Sequence, residues 1–591
     1  MLCLLVSLGI YESQVTVMFF DKSVDVTAFV LATFLASLLA PVVALALHPR
    51  RALAMTTVVL GLATAAAALG RDANLELAAS TVGTVFGMWW LAFFATIDTG
   101  GERVRTLSMS APAALGLLVV ARAVGGTRPL DELAFFFAAP LVAVLLAALA
   151  WGGASVAPRV EGWKTTDSRG ALSLFALPFA FALCSDVALN GAVVAGSAGL
   201  GLRSDGPSST LVGLLAAGTG VALALLADGR WPARPPFVVV AILAGAVLLW
   251  GRSGVWGLLG GALLAFGLVT ATSLFLGAPQ RPARVPVLPT IALGFGWLAS
   301  IVASLFYYIG VGLVVALVSM VLVACIAAAL TRPALAPWGG RLTALIAALA
   351  ILAPLATIGF APEAKSVTPS GQLRVMTYNI HLGYDDGDVP AIEAIASVIA
   401  AEAPDLVALE EVTRGTVIAG GHDTLALLAE RLGMSYAFAP MLGDVEGLAI
   451  LSRIPIDDVR IIRLSRSTRK ADLSRAALVV RAGGLAFVAT HLGGDDFVTQ
   501  VGSIIDGVRG ADRVIIAGDL NSTPDSPQMR LFAQAGFTDV GAAANALTSP
   551  AGDPVDRIDY LWALGVDVRG VRTIRTTASD HLPVVADVTV R

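Results

Sequence analysis

Thr490-His491-Leu492 and Val514-Ile515-Ile516-Ala517-Gly518-Asp519-Leu520-Asn521, with Ser579-Asp580-His581 near the carboxyl end, decide how this chain is read. In each, a carboxylate, an amide or an imidazole sits beside a short apolar run of strand length. That is how a sheet presents polar groups at one edge. Apolar runs of the same kind stand around them at Leu373–Tyr378, Leu406–Leu409, Leu448–Ser452, Ala476–Arg481, Ala486–Thr490, Ile558–Leu561 and Val584–Val590. Helical patterns intervene: Pro390–Ala401 carries Ile392, Ile395, Val398 and Ile399 on one face, and Leu425–Leu432 and Phe497–Val508 follow. The reading is α/β, two packed sheets with helices outside.

Upstream the composition changes. The chain of 591 residues is 57% hydrophobic and 14% charged, far from the soluble norm, and the apolar surplus lies before about Phe360. Uncharged runs long enough to cross about 30 Å of hydrocarbon recur at 26–47, 52–70, 77–97, 107–121, 133–151, 171–200, 208–227, 235–251, 254–277, 287–307, 309–330 and 342–360. The expected organisation is a multi-span α-helical membrane domain over 1–360 with about twelve helices, a linker over 361–372, and an α/β domain over 373–591. The linker, Ala361–Gln372, holds two prolines and is too short to let the α/β domain wander from a bilayer.

Lys and Arg distinguish the two sides of such a domain, because positively charged short loops stay cytoplasmic. One alternate set of loops carries Arg50, Arg51, Arg103, Arg105, Arg159, Lys164, Arg169, Arg230, Arg234, Arg281, Arg284, Arg332 and Arg341. The other has Arg71, Arg122, Arg128, Arg203 and Arg252. The bias, roughly thirteen to five, puts the first set inside and the chain after Phe360 outside a plasma membrane. Asp186, with Asn190 close by, interrupts the run 171–200. An ionisable group at membrane depth marks either a functional site or a segment made of two shorter pieces.

Cys3, Cys184 and Cys325 all stand in apolar runs, which excludes a disulfide framework or a thiolate metal site. Acids exceed bases by about nine after Phe360, a poor footprint for long nucleic acid. Four of the five histidines, His381, His422, His491 and His581, lie in that region among Asn379, Glu411, Asp519, Asn521, Asp559 and Asp580. Hard cations such as Mg2+ take carboxylates, water and substrate phosphate. Glu411, at the end of an apolar strand, supplies such a carboxylate, and Asn379 and Asp580 are placed to help it. Cleaving a phosphoester further requires an aligned water, stabilised phosphate charge and a proton donor.

The runs Val375-Met376-Thr377-Tyr378-Asn379, Leu409-Glu410-Glu411-Val412, Gly447-Leu448-Ala449-Ile450-Leu451-Ser452-Arg453, Thr490-His491-Leu492, Gly518-Asp519-Leu520-Asn521, Arg557-Ile558-Asp559-Tyr560 and Ser579-Asp580-His581-Leu582-Pro583 together resemble the endonuclease/exonuclease/phosphatase superfamily. It includes DNase I, abasic-site endonucleases, neutral sphingomyelinases and inositol-phosphate phosphatases. The resemblance implies a four-layer α/β sandwich of DNase I type and metal-dependent phosphoester hydrolysis, with Mg2+ or Mn2+ as cofactor. It makes Glu411 the principal metal ligand, assisted by Asn379 and Asp580, and Asp519 with Asn521 the pair that positions water and phosphate. His491 and His581, the latter paired with Asp559, become general acid and base in an order the sequence leaves open.

By the same resemblance Glu446 orients His491 and Arg475 contacts substrate, a surface ion pair being the alternative for Arg475. Many members have Gln where this chain has Glu410, which either adds charge near the metal or faces the other side of its strand. The basic run Arg460, Arg463, Arg466, Arg469 and Lys470 between two strands is either a solvated face or a surface for anionic headgroups.

A multi-span region followed by this domain also resembles the membrane proteins that remodel the lipid of GPI anchors. The expected function is therefore a membrane-bound phosphodiesterase acting on a lipid headgroup at the extracytoplasmic face, with a membrane lipid as partner and no nucleic acid. The alternatives are a membrane-anchored extracytoplasmic nuclease, and a lipid transporter or binding protein with a sensor-like soluble domain.

Overall fold

The computed structural model describes residues 26–69, 73–96, 102–124, 162–200, 202–203, 209–227, 235–251, 253–276, 280–308, 325–327, 341–360, 367–368, 371–416, 423–442, 445–465 and 474–590. The chain divides into two compact units, the second holding Phe360–Arg591 with short segments at Leu200–Ser209 and Tyr308–Val311.

The first unit is helical: α1 (Val26–Ser37), α2 (Ala40–Ala46), α3 (Pro49–Leu69), α4 (Ala73–Thr96), α5 (Glu102–Val124), α6 (Ser168–Leu183), α7 (Gly191–Ser197), α8 (Ser209–Leu226), α9 (Pro235–Gly251), α10 (Val255–Leu276), α11 (Val287–Tyr308) and α12 (Arg341–Phe360). Among the described residues five stretches are long and apolar enough to cross a membrane: Ala78–Thr96, Ser168–Ala188, Ser209–Leu226, Val255–Leu276 and Arg341–Ile358. Val30–Ala46, Ser110–Ala123, Pro235–Leu249 and Val287–Ala303 are shorter apolar helices. The expected spans at 133–151 and, but for 325–327, 309–330 lie outside the described residues.

Hydroxyls inside these helices bond back to their own turns, Thr56 to the carbonyl of Ala52 and Thr96 to that of Ala92. Burial away from water demands this of polar groups. Two short strands, β1 (Trp163–Thr166) and β2 (Gln280–Ala283), pair antiparallel. The interrupted run 171–200 proves to be two helices, α6 and α7, joined by a π turn at Cys184–Ala188 that contains Asp186. Asn190 caps α7 by accepting from the Ala192 and Val193 amides. Arg122 lies within α5 rather than in a loop.

The second unit contains two six-stranded sheets. One is ordered β11-β12-β10-β9-β8-β7, the other β13-β14-β3-β4-β6-β5. The first comprises β7 (Ile456–Arg463), β8 (Ala476–Ala482), β9 (Leu485–His491), β10 (Val514–Asp519), β11 (Thr538–Asp539) and β12 (Asp559–Leu564). The second comprises β3 (Gln372–Asn379), β4 (Leu406–Thr413), β5 (Ser435–Leu442), β6 (Glu446–Ser452), β13 (Asp567–Thr573) and β14 (Val584–Thr589).

Strand alternation builds the layers, since successive side chains take opposite faces. Val375, Ala408 and Ile450 join Leu478, Phe487 and Ile515 in an apolar layer between the sheets. Met376, Tyr378, Val407 and Leu409 face outward against α13 (Ile392–Glu402) and α14 (Thr424–Leu432). Val488, Ile516, Tyr560 and Trp562 pack with residues of α15 (Phe497–Gly507) and α16 (Pro527–Gln534). Helix, sheet, sheet and helix make a DNase I-like four-layer sandwich.

Arg460 and Arg463 lie on β7 itself, where their guanidiniums donate to the carbonyls of Gly507 and Pro440. This corrects the expectation of a basic run between strands; Arg466, Arg469 and Lys470 lie outside the described residues, as does His422.

Candidate active site

Register brings the polar set together. β3 and β4 run parallel, as do β9 and β10, so the carboxyl ends of each pair coincide. Asp519 closes β10 opposite His491, which closes β9, and opposite Asp559, which opens the antiparallel β12. Gly518 sits at φ 152°, and a Cβ there would strike the Thr490 carbonyl. Only glycine lets the two strand ends approach this closely.

On the facing sheet Asn379 ends β3, and Glu411 lies in a bulge of β4 at φ 54°. A bulge re-aims a side chain out of the strand's alternation, which turns Glu411 outward while Glu410 stays fully buried. His581 enters on the loop before β14. The Ser579 hydroxyl fastens that loop by donating to the Asn379 carbonyl (2.7 Å).

Contacts cross from one sheet to the other. Asn379 Nδ2 donates to Asp519 Oδ2 (3.1 Å) and to Glu411 Oε1 (3.3 Å), and its Oδ1 accepts from the His381 amide. Here Asn379 spaces two carboxylates with its nitrogen, the oxygen being taken by the main chain. His581 Nδ1 meets Asp559 Oδ2 at 2.9 Å, and its Nε2 lies 3.9 Å from Asp519 Oδ2. Asn521, in the left-handed region at φ 47°, donates through Nδ2 to His491 Nε2 (3.0 Å) and the Leu492 carbonyl. His491 Nε2 is 3.5 Å from Asp519 Oδ2. Asp519, 2% exposed, is thus the hub.

Three expected members sit differently. Asp580 is a third exposed and lies by His381, 3.9 Å from its Nδ1, with no described bond to Glu411. Glu446 is buried at the start of β6, electrostatically close to Glu411 and Arg475. No hydrogen bond joins it to His491, whose Nδ1 has no partner. Arg475 lies against Gly493, directly after the His491 strand, where a Cβ would collide with its guanidinium. Asp186 belongs to the helical unit.

Charge separates the titratable groups. Burial alone would lower the His581 pKa, but the facing, hydrogen-bonded Asp559, with Asp519 and Asp580, pushes it up to about 11. His491 is held well below the ordinary imidazole value by burial, Arg475 and His581. At neutral pH one ring is a cation and the other neutral. Burial, then Asp559, raises Asp519 to about 7, and burial with Glu411 raises Glu446 to about 7. Glu410 is driven well above the carboxylate range by burial and by Asp559 and Asp519, while the Thr377 hydroxyl donates to it. Glu410, Thr377 and Ser579 escaped the expected site set because each is an ordinary strand or loop residue in the sequence; only the acid in the usual Gln position was a signal.

Asp519, Asp559 and His581 form a buried group whose ligand atoms all lie within 4.8 Å of one another. Asp559 Oδ1 and Glu446 Oε2 are buried with no hydrogen-bond partner. Buried carboxylate oxygens without donors are costly, and a divalent cation fits that donor set. The cluster is capable of holding a metal, and all three of its residues were expected in catalytic rather than ligand roles.

The model of the endonuclease/exonuclease/phosphatase family matches residues 376–581. This segment is an endonuclease/exonuclease/phosphatase domain. Among solved structures the chain is similar to an endonuclease/exonuclease/phosphatase protein of Beutenbergia cavernae at 28% identity and TM-score 0.31, over 37% of this chain and 72% of that one. It is also similar to the human nocturnin catalytic domain with bound sulfate, at 20% identity and TM-score 0.31, over 38% and 100%. Truncated TDP2 of Caenorhabditis elegans matches at 20% identity and TM-score 0.29, over 38% and 99%. No curated protein matches the chain. Domains of the endonuclease/exonuclease/phosphatase family are generally phosphoester hydrolases that use a divalent metal, and the polar cluster stands at the strand ends of this one.

Proposed function

We propose that the protein is a membrane-bound, Mg2+-dependent phosphoesterase that hydrolyses a lipid headgroup at the extracytoplasmic face. The observation that carries the hydrolytic reading is the Asp519 hub, joined through Asn379 to Glu411 and flanked by His491, Asn521 and the His581–Asp559 pair. Glu411 and the carboxylates of Asp519 and Asp559 would hold the cation, with Asn379 and Asp580 beside them and His581 held back from it by its bond to Asp559. Bound there, it would neutralise phosphate charge.

The chain's own residues divide the remaining work. Asp519, raised to about 7, takes a proton from the attacking water near neutral pH. His581, kept cationic by Asp559, donates toward a phosphate oxygen or the leaving group. Asn521 and neutral His491 orient the phosphate, and Arg475 lies within electrostatic reach of His491 to meet its charge.

The membrane assignment rests on the apolar helices, the short linker and the loop charge bias. Pairing of β1 with β2 supports it, because both strands fall in loops of the basic set and must share a side. Incubating the purified full chain with labelled phospholipids should release headgroup, and EDTA should abolish the release. Nicking of plasmid DNA with no headgroup release from any phospholipid class would replace the lipid reading by a nuclease.

A further inference from the structure

The interruption of the 171–200 run has a chemistry of its own. The π turn Cys184–Ala188 breaks the helical ladder between α6 and α7, and nearly every residue from Cys184 to Asn190 is buried. A break of this kind frees backbone carbonyls, which in an apolar surrounding must find donors. Arg122 of α5 is the donor. Its Nη1 bonds the carbonyls of Ser185 (2.9 Å) and Leu189 (3.1 Å), and its Nη2 bonds Ser185 Oγ (3.0 Å). Two main-chain oxygens and one hydroxyl therefore converge on one cation. Asp186 is next in sequence, and it and Arg122 both act electrostatically on Cys184. Carbonyls at an unwound helix segment beside a carboxylate are the ligand chemistry of a cation site. Here the cation is covalently part of the chain.

We infer that the Ser185–Leu189 break is a cation cage filled by the tethered guanidinium of Arg122, and that removing this side chain leaves a site for a free guanidinium-type cation. The cage is closed by charge and directional donors together, so a helix that would otherwise come apart at the break stays packed without an external ion.

Cys184 is the reporter, being buried at the first position of the turn. The test uses the full chain in detergent micelles with Cys3→Ser and Cys325→Ser, and follows N-ethylmaleimide labelling of Cys184. Arg122→Gly should label about tenfold faster, since an unclosed break at membrane depth exposes the turn. Methylguanidinium at about 20 mM should restore slow labelling by binding the folded form, whereas tetramethylammonium, which donates no hydrogen bond, should not. Equal labelling of wild type and Arg122→Gly, or equal effects of the two cations, would overturn the inference. Should Arg122→Gly not accumulate, Arg122→Lys and Arg122→Gln are compared. Lys, keeping charge and donors, should label slowly and Gln fast; indistinguishable rates would overturn it.

Discussion

At the residue scale the candidate site turns on two histidines that their surroundings hold in different charge states, one cationic and one neutral. His581 faces Asp559 and Asp519, and His491 faces Arg475 and His581. In metal-free protein, ring NMR should find His581 protonated to about pH 11 and His491 neutral far below the ordinary value. The raised folded pKa means His581 contributes stability fully present below about 6.5, its unfolded value, and lost as pH climbs toward 11. His581→Gln should therefore narrow its stability deficit across that window, measured by denaturation at several pH values. Asp519→Asn should lower kcat about 10²–10⁴-fold with little change in KM. Glu410→Gln should leave kcat within about threefold, because burial and the neighbouring Asp559 and Asp519 favour the protonated acid, whose shape Gln keeps, while Glu410→Ala should lose about 1–3 kcal/mol by stranding the Thr377 hydroxyl in a cavity. That these polar residues would gather at one edge was readable, because polar groups next to strand ends stand out in an apolar context. Which group touches which was not: the Asn379 link from Glu411 to Asp519 depends on an amide's orientation, and the missing bond between Glu446 and His491 depends on packing.

At the element scale the strands in the sequence reading are those buried on both faces. In the second unit four strands escaped it, β5, β7, β11 and β13, and all four are sheet edges. Edge strands read ambiguously because one side meets solvent: β7 (Ile-Asp-Asp-Val-Arg-Ile-Ile-Arg) has no clean alternation, and β5 contains Pro440, tolerable only where a ladder donor is dispensable. Central strands carry the termini proposed as catalytic, and here one glycine governs their spacing. Gly518→Ala should force β9 and β10 apart, costing about 2–4 kcal/mol and removing most activity. Thermal denaturation together with kcat checks this, and a variant of wild-type stability and activity would count against the close approach.

At the scale of the whole molecule, acids at the site outnumber the bases beside them. Metal should therefore stabilise as well as activate. Adding Mg2+ or Mn2+ to EDTA-treated protein should raise Tm in a saturable way, and Asp519→Asn should blunt the rise. Limited proteolysis of sealed vesicles of known orientation tests the proposed side: the domain after Phe360 should be cut only when its extracytoplasmic face is exposed. Two-part organisation was legible from composition alone. The content of the break at Asp186 was not, because a π turn and the arginine that closes it lie far apart in sequence.

The proposed catalytic set straddles the two sheets, with His491, Asp519 and Asp559 on one and Asn379, Glu411 and His581 on or beside strands of the other. A slip of one sheet past its neighbour by a single residue, about 3.3 Å, would part every hydrogen bond that joins the halves while leaving each half intact. The apolar layer of Phe487, Ile450 and Leu478 therefore acts as a vernier for the chemistry above it. Substitutions there that keep volume but change shape should appear first as lost turnover, before any loss of fold is measurable.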